Sequence, residues 1–302
     1  MAELAFNAPL TLAQAFSLLA APTDSPARPD GTRPLAGGSD LIVQMRSGRL
    51  RPQRIVDLKR IPELIGITRE PTGWRIGAAT PCALLGEHAA LRADWPGLVE
   101  SACLIGSAQI QSRASLGGNL CNASPAADSV PALIAAGALC EIGSGMGTRE
   151  LPVEQMLLAP GRHALAPGEL LLALRLPVRA PNSGDAYLRL IPRTEMDIAV
   201  VGAGVWLQVD GQQRIVAARV ALGAVAPTAL LVPAAAEALI GSTLASAAIE
   251  TLAAAARAAC RPIDDKRGTA AYRTRVAGVL AQRAAAIAYE RACAAANQGT
   301  QA

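Results

Sequence analysis

Two pairs of adjacent glycines in the N-terminal half of the chain have residue types that bind oxyanions. The first pair lies in Leu35-Ala36-Gly37-Gly38-Ser39-Asp40-Leu41 and the second in Ser115-Leu116-Gly117-Gly118-Asn119. Because glycine has no Cβ and tolerates positive φ, successive backbone N–H groups of such a segment can point into one concavity, and a serine adds a hydroxyl donor. A helix that starts near Asp40 would direct its positive end to the same place.

Two such nests suit two linked phosphates, because N–H groups on both sides stabilise a diphosphate without a buried lysine or arginine. The two segments together therefore predict a diphosphate site. One such segment taken alone is also typical of an ordinary turn between a strand and a helix.

A third glycine-rich segment does not have the spacing of a nucleotide site. Gly143-Ser144-Gly145-Met146-Gly147 is G-x-G-x-G, and the residues after it do not open a long helix. This segment predicts a hairpin turn. The P-loop pattern G-x-x-x-x-G-K-[ST] does not occur in the sequence.

The cysteines do not have the spacing of a metal or iron–sulfur site. There are six, far apart and without a C-x-x-C pattern, and the chain has two histidines. We expect buried, reduced thiols and no metal ligands, with His88 and His163 in packing or surface positions. Any redox carrier held by this chain must therefore be organic.

Composition narrows the function classes. The chain has 302 residues, of which 51% are hydrophobic, 17% charged and 3% aromatic, with a formal charge of +4. Lysine occurs only at Lys59 and Lys266, so the basic residues are mostly scattered arginines, and few rings are available to stack on bases. A nucleic-acid reader is not expected. The N-terminus lacks a signal-peptide pattern and no apolar run reaches the roughly 20 residues of a membrane span, so we expect a cytoplasmic protein.

The two glycine segments must be positioned by mixed α and β structure. Thr11-Leu12-Ala13-Gln14 has the form of a capping box and predicts a helix over residues 12–19. A loop rich in proline and aspartate follows at 22–31, then a strand at 33–36 and a helix at 41–45. Further strands are predicted at 54–58, 74–78, 139–142 and 169–176, with a helix opening at Pro81 and Leu84.

The region around the second glycine pair is predicted as a long polar loop over residues 106–122. Ser124-Pro125-Ala126-Ala127-Asp128 then marks a helix start, with Ser124 as the N-cap and Pro125 as the first helical residue.

The C-terminal part follows a linker at residues 177–184, where we place a domain boundary. Strands are predicted at 187–191, 198–209 and 215–222. Alanine-rich helices follow from about Pro233, the last over about 268–295. Strands followed by helices indicate an α+β domain.

The order and content of these motifs resemble one family closely. The sequence is similar over essentially its whole length to the FAD-binding medium subunit of the xanthine dehydrogenase and carbon monoxide dehydrogenase family. The resemblance is carried by residues 36–41, 105–120, 122–128, 162–171, 196–199, 221–228 and 272–273.

This resemblance implies a fold and a division of the chain. The fold would be α+β, with an FAD-binding domain of the vanillyl-alcohol-oxidase (PCMH) type over residues 1–177, made of subdomains at about 1–60 and 61–177. A C-terminal domain over residues 178–302 would contain a small antiparallel sheet and helices.

The resemblance also implies a role in a molybdenum hydroxylase. In such an enzyme a large subunit holds the molybdopterin cofactor, a small subunit holds two [2Fe-2S] clusters, and the medium subunit holds FAD. This chain would accept electrons from the clusters and pass them to an external acceptor, in an assembly that is a dimer of heterotrimers. Two alternatives stay open: a free-standing FAD-dependent oxidase, and an assembly subunit that has lost FAD.

The resemblance also assigns site residues. Those implied to contact FAD are Arg33, Leu35, Ala36, Gly37, Gly38, Ser39, Asp40, Leu41, Ile105, Gly106, Ala114, Ser115, Gly117, Gly118, Asn119, Ser124, Asp128, Leu171 and Arg189.

Arg189 is implied to lie beside the isoalloxazine, where relatives commonly have lysine. A fixed cation there would raise the flavin reduction potential. Without the resemblance, Asp128 is also explained as an acid at a helix terminus, and Arg189 as a member of an ordinary ion pair.

Overall fold

A computed structural model of the chain describes residues 3–22 and 30–299, so most of the loop expected at 22–31 lies outside the described residues. The first unit is a three-stranded parallel sheet with strand order β1-β3-β2. Its elements are β1 (Ala5–Asn7), α1 (Leu12–Ala20), β2 (Thr32–Leu35), α2 (Leu41–Arg46) and β3 (Arg54–Asp57).

Helix α1 begins at the predicted cap. The Thr11 hydroxyl accepts a hydrogen bond from Gln14 N at 3.3 Å, while the Gln14 side chain accepts one from Leu10 N at 2.8 Å. In a capping box the second of these bonds comes from the backbone N–H of the N-cap residue, which is Thr11 here. In this chain it comes instead from Leu10, one residue earlier.

The second unit is built on a five-stranded antiparallel sheet with the order β4-β5-β10-β6-β7. A one-turn 3-10 helix (Pro62–Leu64) precedes it. The elements are β4 (Ile67–Glu70), β5 (Gly73–Gly77), α3 (Cys82–Glu87), α4 (Ala89–Asp94), α5 (Pro96–Cys103), α6 (Ala108–Gln111), α7 (Leu116–Cys121), α8 (Ser129–Ala135), β6 (Leu139–Ser144), β7 (Gly147–Pro152), α9 (Val153–Met156), β8 (Leu157–Ala159), β9 (Arg162–His163) and β10 (Leu170–Pro177).

The third unit is a four-stranded antiparallel sheet covered by helices. It comprises β11 (Ser183–Leu190), β12 (Val201–Val209), β13 (Ile215–Gly223), β14 (Leu230–Leu231), α10 (Pro233–Glu237), α11 (Ser246–Ala259) and α12 (Ala270–Gly299). Small residues allow α12 to lie very close to the sheet: buried alanines line the helix, and a Cβ added at Gly184 of β11 would lie 2.7 Å from Ala292 N. The predicted α+β architecture is confirmed.

The third unit packs on helix α8 of the second. A Cβ added at Gly204 of β12 would lie 2.7 Å from the carbonyl carbon of Pro131, so strand and helix are in backbone contact. This packing brings β11 opposite Asp128, which immediately precedes α8.

Two local predictions are wrong and one is confirmed. Residues 106–122 are not a long loop, because α6 and α7 lie within them. Ser124 is not an N-cap: it accepts a hydrogen bond from Ala126 N at 3.3 Å in a turn, and the next helix begins only at residue 129. The hairpin predicted at 143–147 is present, with Ser144 paired to Gly147.

All six cysteines are free thiols, and Cys82, Cys140 and Cys260 are buried. In the described part of the chain, no group of three or more His, Cys, Asp or Glu side chains is arranged to hold a metal ion. No helix within the same ranges has the length and apolar composition needed to cross a membrane.

Candidate functional site

The two glycine segments meet in space. Gly37 packs backbone against backbone on the residues just before the second pair: an added Cβ would overlap the Arg113 carbonyl oxygen and lie 2.9 Å from Ala114 N. A hydrogen bond also joins helix α2 to the end of helix α7, because Gln44 Nε2 donates to Asn122 Oδ1 at 2.9 Å. The predicted convergence of the two segments is therefore found.

The two glycines of each pair differ in their surroundings. Gly37 and Gly117 are held against backbone, since a Cβ at Gly117 would overlap the Ala78 carbonyl oxygen. At Gly38 and Gly118 the nearest atoms belong to side chains instead: a Cβ at Gly38 would lie 2.9 Å from Cδ1 of Ile42 and 3.0 Å from Cδ1 of Leu35, and one at Gly118 would lie 3.1 Å from Ser115 Oγ. Gly118 therefore leaves space that a ligand could use, whereas Gly38 is packed against side chains and has a positive φ.

The first loop has unused backbone donors. Gly38 has φ of +79°, and among residues 3–22 and 30–299 no acceptor receives the N–H groups of residues 37–40. Lys59 fixes the loop by donating to Ala36 O at 3.2 Å and to Asp57 Oδ1 at 2.7 Å. Unpaired N–H groups around a left-handed glycine are the usual components of an oxyanion nest. The residues present thus fit a diphosphate.

The second loop is less free than the sequence predicted. Ser115 is buried and caps α7, its hydroxyl accepting a hydrogen bond from Gly118 N at 3.0 Å. The Asn119 side chain is also engaged, because its Oδ1 accepts from Ser129 Oγ at 2.7 Å. The expectation of two matched extended nests is therefore wrong: the second segment is a helix start whose own cap uses one of the N–H groups.

Helix α2, which follows the first loop, and helix α7, which contains Gly117 and Gly118, are each six residues long. The individual N–H groups, rather than a long helix macrodipole, are therefore what these segments offer to an anion. Asp40 occupies the N-cap position of α2 without a side-chain capping bond, and it is exposed. Ser39 and Leu41 on either side of it are partly buried.

A buried ionic cluster lies between the second and third units. Arg189 Nη1 is 2.6 Å from Asp128 Oδ2, and the Tyr187 hydroxyl donates to Asp128 Oδ1 at 3.1 Å. Burial raises the pKa of Asp128 from 3.8 to about 6, although the Arg189 charge and the hydrogen bonds from Tyr187 and Arg189 oppose that rise. The pKa of Tyr187 is raised by burial and by the Asp128 charge.

Arg189 has N–H donors that take no part in its ion pair with Asp128. Its side chain is only 6% exposed, its Nε is buried without a partner, and its Nη2 makes no hydrogen bond to any residue that the structure describes. Buried donors are nearly always paired, so an arginine with one of three nitrogens engaged fits an acceptor-rich ligand. The ion pair expected as the alternative for Arg189 is present as well.

The other assigned positions are mostly apolar and buried. Leu35, Ile105, Ala114 and Leu171 are each 9% exposed or less. Gly106 turns the chain before α6 with φ of +62°, while Ala36 and Ser124 are partly buried in loops. These residues can shape an apolar wall but offer no side-chain charge.

Arg33, the remaining assigned residue, lies on β2 close to His163. Its Nε and His163 Nδ1 are both buried without a partner. Burial lowers the pKa of His163, and the Arg33 charge lowers it further. His88 has the packing role expected of it: Nδ1 caps α4 by accepting from Leu91 N at 3.1 Å, and the ring meets Trp74 edge-on.

Tyr187 and Lys59 are the residues that the sequence predictions missed. Tyr187 stands two residues before Arg189 on one strand, so both side chains leave the same face of the sheet. That spacing is a signal which could have identified Tyr187. Lys59 gave no such signal, because its contact with Ala36 depends on the fold.

Comparison with known proteins identifies the family of the chain. Residues 2–179 match the family described as FAD binding domain in molybdopterin dehydrogenase, and residues 186–288 match CO dehydrogenase flavoprotein C-terminal domain. The carbon monoxide dehydrogenase medium chain of Afipia carboxidovorans is 36% identical over 95% of this chain and 97% of its own length. The xanthine dehydrogenase FAD-binding subunit of Escherichia coli O157:H7 is 34% identical over 72% of this chain and 73% of its own.

The fold is similar to that of a solved relative. Reconstituted CO dehydrogenase from Oligotropha carboxidovorans contains a chain that superposes with a TM-score of 0.89 at 34% identity, covering 96% of this chain and 98% of that one. The chain carries an FAD-binding domain and belongs to the family of FAD-binding medium subunits of carbon monoxide and xanthine dehydrogenases, which are oxidoreductases of the molybdenum hydroxylase class.

Proposed function

We propose that this chain holds FAD with its diphosphate between the two glycine loops. The observation that carries the proposal is the row of N–H groups at residues 37–40, which no acceptor within residues 3–22 and 30–299 receives, in a loop whose Gly37 packs on the backbone of Arg113 and Ala114. These groups bind and orient a diphosphate with neutral donors, so no buried cation is required beside it. Gly118 leaves space beside α7 for the phosphates, and Gly38 gives the first loop its positive φ.

We further propose that Asp128 and Arg189 lie along the rest of the cofactor, with Arg189 beside the flavin ring. FAD, when bound, supplies a carrier that takes up one or two electrons. Arg189 holds a positive charge that deprotonation does not remove, and its free Nε and Nη2 donors can bind acceptor atoms. Leu171, which we propose to lie beside the same ring, is 4% exposed and would help to exclude water from those contacts.

In this proposal the chain is the electron-output subunit of a three-subunit molybdenum hydroxylase in the cytoplasm. It accepts electrons from [2Fe-2S] clusters of a small partner subunit, while a large partner holding the molybdopterin cofactor oxidises the substrate. It then passes the electrons to an external acceptor, and the complete assembly is a dimer of heterotrimers. The cysteines are far apart in the sequence and form no C-x-x-C pattern, which fits that division of labour.

We also propose that residues 1–177 and 178–302 are separate domains, with the first divided near residue 60. The change from the second sheet to the third across residues 178–182 supports this boundary.

The test compares the purified chain with the assembled complex. The chain alone is expected to bind one FAD and not to reduce it with organic substrates, whereas the complex reduces it with the substrate of the large subunit. Flavin reduction by the isolated chain would support a free-standing oxidase. A colourless complex with full dye-linked activity would support an assembly subunit without FAD.

Gly38→Val and Gly118→Val should both lower the FAD content of the purified chain. An undiminished FAD content in both variants would contradict the proposed site.

A further inference from the structure

The Asp128 carboxylate is held by two residues of one strand. Oδ2 pairs with Arg189 at 2.6 Å, and Oδ1 accepts the Tyr187 hydroxyl at 3.1 Å. Tyr187 and Arg189 lie on β11, whereas Asp128 belongs to the segment before α8. Tyr187 is 3% exposed and Asp128 8% exposed, so water does not readily replace the Tyr187 hydroxyl as a donor to the carboxylate.

The space for the Tyr187 hydroxyl depends on a glycine in the neighbouring strand. Gly202 of β12 pairs with Arg189 in the antiparallel register. A Cβ added at Gly202 would lie 2.7 Å from the Tyr187 hydroxyl oxygen and 3.3 Å from Cε2 of its ring. Gly202 does not have a positive φ, so the requirement for glycine there is one of space.

We propose that Tyr187 is a positioning residue of the flavin site: by occupying Asp128 Oδ1, its hydroxyl fixes the carboxylate so that Oδ2 holds the Arg189 guanidinium with Nε and Nη2 left for the cofactor. This inference rests on the proposed function. Its physical basis is that a buried carboxylate oxygen without a donor is costly. If the hydroxyl is removed, the carboxylate rotates or takes a proton, and in either case Arg189 is held less firmly.

The loss of the hydroxyl should also change a pH profile. In the described part of the chain, the titratable groups that contact Asp128 are Arg189 and Tyr187, both from β11. The Tyr187 hydrogen bond lowers the pKa of Asp128, so its removal moves protonation of Asp128 to higher pH. A neutral Asp128 beside Arg189 leaves more net positive charge, which favours the reduced flavin.

The experiment uses the full chain, stripped of FAD and titrated with FAD between pH 5 and 8, with the midpoint potential of the bound flavin measured over the same range. For Tyr187→Phe we expect FAD affinity roughly fivefold lower at pH 7, the scale of one lost hydrogen bond. We also expect the pH-dependent step in potential to move to higher pH. The matched control is Tyr272→Phe, whose ring is 47% exposed, and this variant should change neither quantity.

A second variant displaces the Tyr187 side chain without removing its hydroxyl. Gly202→Ala should displace the Tyr187 ring and lower FAD affinity to the same degree as Tyr187→Phe. In the Tyr187→Phe background Gly202→Ala should have little further effect, because the closest contact has gone.

The possible outcomes are distinguishable. If Tyr187→Phe binds FAD within twofold of the wild-type chain with the same pH profile of potential, the positioning role is wrong and the proposed function stands, even if the melting temperature falls. If the wild-type chain does not bind FAD, the proposed function is wrong and this inference with it.

Discussion

Gly37 lies so close to Ala114 that a methyl group at Gly37 would be 2.9 Å from the Ala114 nitrogen and would overlap the carbonyl oxygen before it. Gly37 lies in the loop after β2 and Ala114 in the loop before α7, and their contact brings the two glycine segments to one place. The geometry of the candidate site therefore depends on the absence of a single side chain.

Gly37→Ala should lower the stability of the whole chain. The added methyl group must push apart two backbone segments, and overpacking of this kind costs about 1–3 kcal/mol. Urea unfolding of the FAD-free chain measures the effect. Gly145→Ala is the control, because a Cβ in that hairpin turn meets nothing within 4 Å. Equal stability of the two variants would show that the segments do not pack as described.

Two helix N-caps, one serine and one threonine, allow a matched test of whether the second glycine segment takes part in FAD binding. Ser115 caps α7 and Thr11 caps α1, each accepting from the N–H three residues later. Replacing either by alanine should cost about 1 kcal/mol of stability. Only Ser115→Ala should also weaken FAD binding, since only this cap orders the loop at the proposed diphosphate. Equal FAD dissociation constants for the two variants would remove Ser115 from the site.

Asp128 should make stability depend on pH in a defined window. Burial raises its pKa from 3.8 to about 6, so the folded chain binds the proton more tightly than the unfolded chain. The stabilisation from this group is therefore complete below about pH 4 and is lost as the pH rises to about 6.

The comparison is with Asp128→Asn, which has no proton to lose. The stability of the wild-type chain minus that of the variant should fall by up to about 3 kcal/mol between pH 4 and pH 6 and stay level above that. Denaturant unfolding of both FAD-free chains at several pH values provides the measurement. A difference that does not vary with pH would mean that the pKa of Asp128 is not raised.

Arg189→Gln should lower both stability and flavin potential. It leaves the buried Asp128 without its cation, a loss that typically costs about 3–5 kcal/mol when one partner of a buried pair is removed. It also removes the positive charge proposed beside the flavin, so the midpoint potential should become more negative. Arg189→Lys keeps the charge but not the planar guanidinium, so its stability and its midpoint potential should lie between those of the wild-type chain and those of Arg189→Gln. An unchanged potential in Arg189→Gln would place Arg189 away from the flavin.

The sequence predicted the parts of the fold that repeat over several residues. The strands that carry Leu35 and Leu171 and the alanine-rich helix α12 were predicted within a few residues, because alternation and helical spacing extend over their length. Helices α6 and α7 were missed: α6 has only four residues, and α7 contains the two glycines, which are more typical of a loop. For the same reason Ser115 was taken as a loop donor instead of a cap.

The sequence names candidate residues for the site but does not predict their contacts. The glycine pairs could be identified by composition, yet only the structure shows that Gly37 and Gly117 pack on backbone, that Gly38 packs on side chains and that Gly118 is open. The contact of Tyr187 and Arg189 with Asp128 depends on how β12 packs against α8, and no local pattern encodes that packing.

FAD binding to Gly118→Ala is the most direct test of the paired glycine loops. A Cβ at Gly118 meets only the Ser115 hydroxyl, at 3.1 Å, so stability should stay within about 1 kcal/mol of the wild-type chain. The same Cβ would occupy the space proposed for the diphosphate, so titration of the FAD-free chain should give a dissociation constant at least about tenfold higher, equal to 1.4 kcal/mol or more. A folded Gly118→Ala chain that binds FAD as tightly as the wild type would contradict the account.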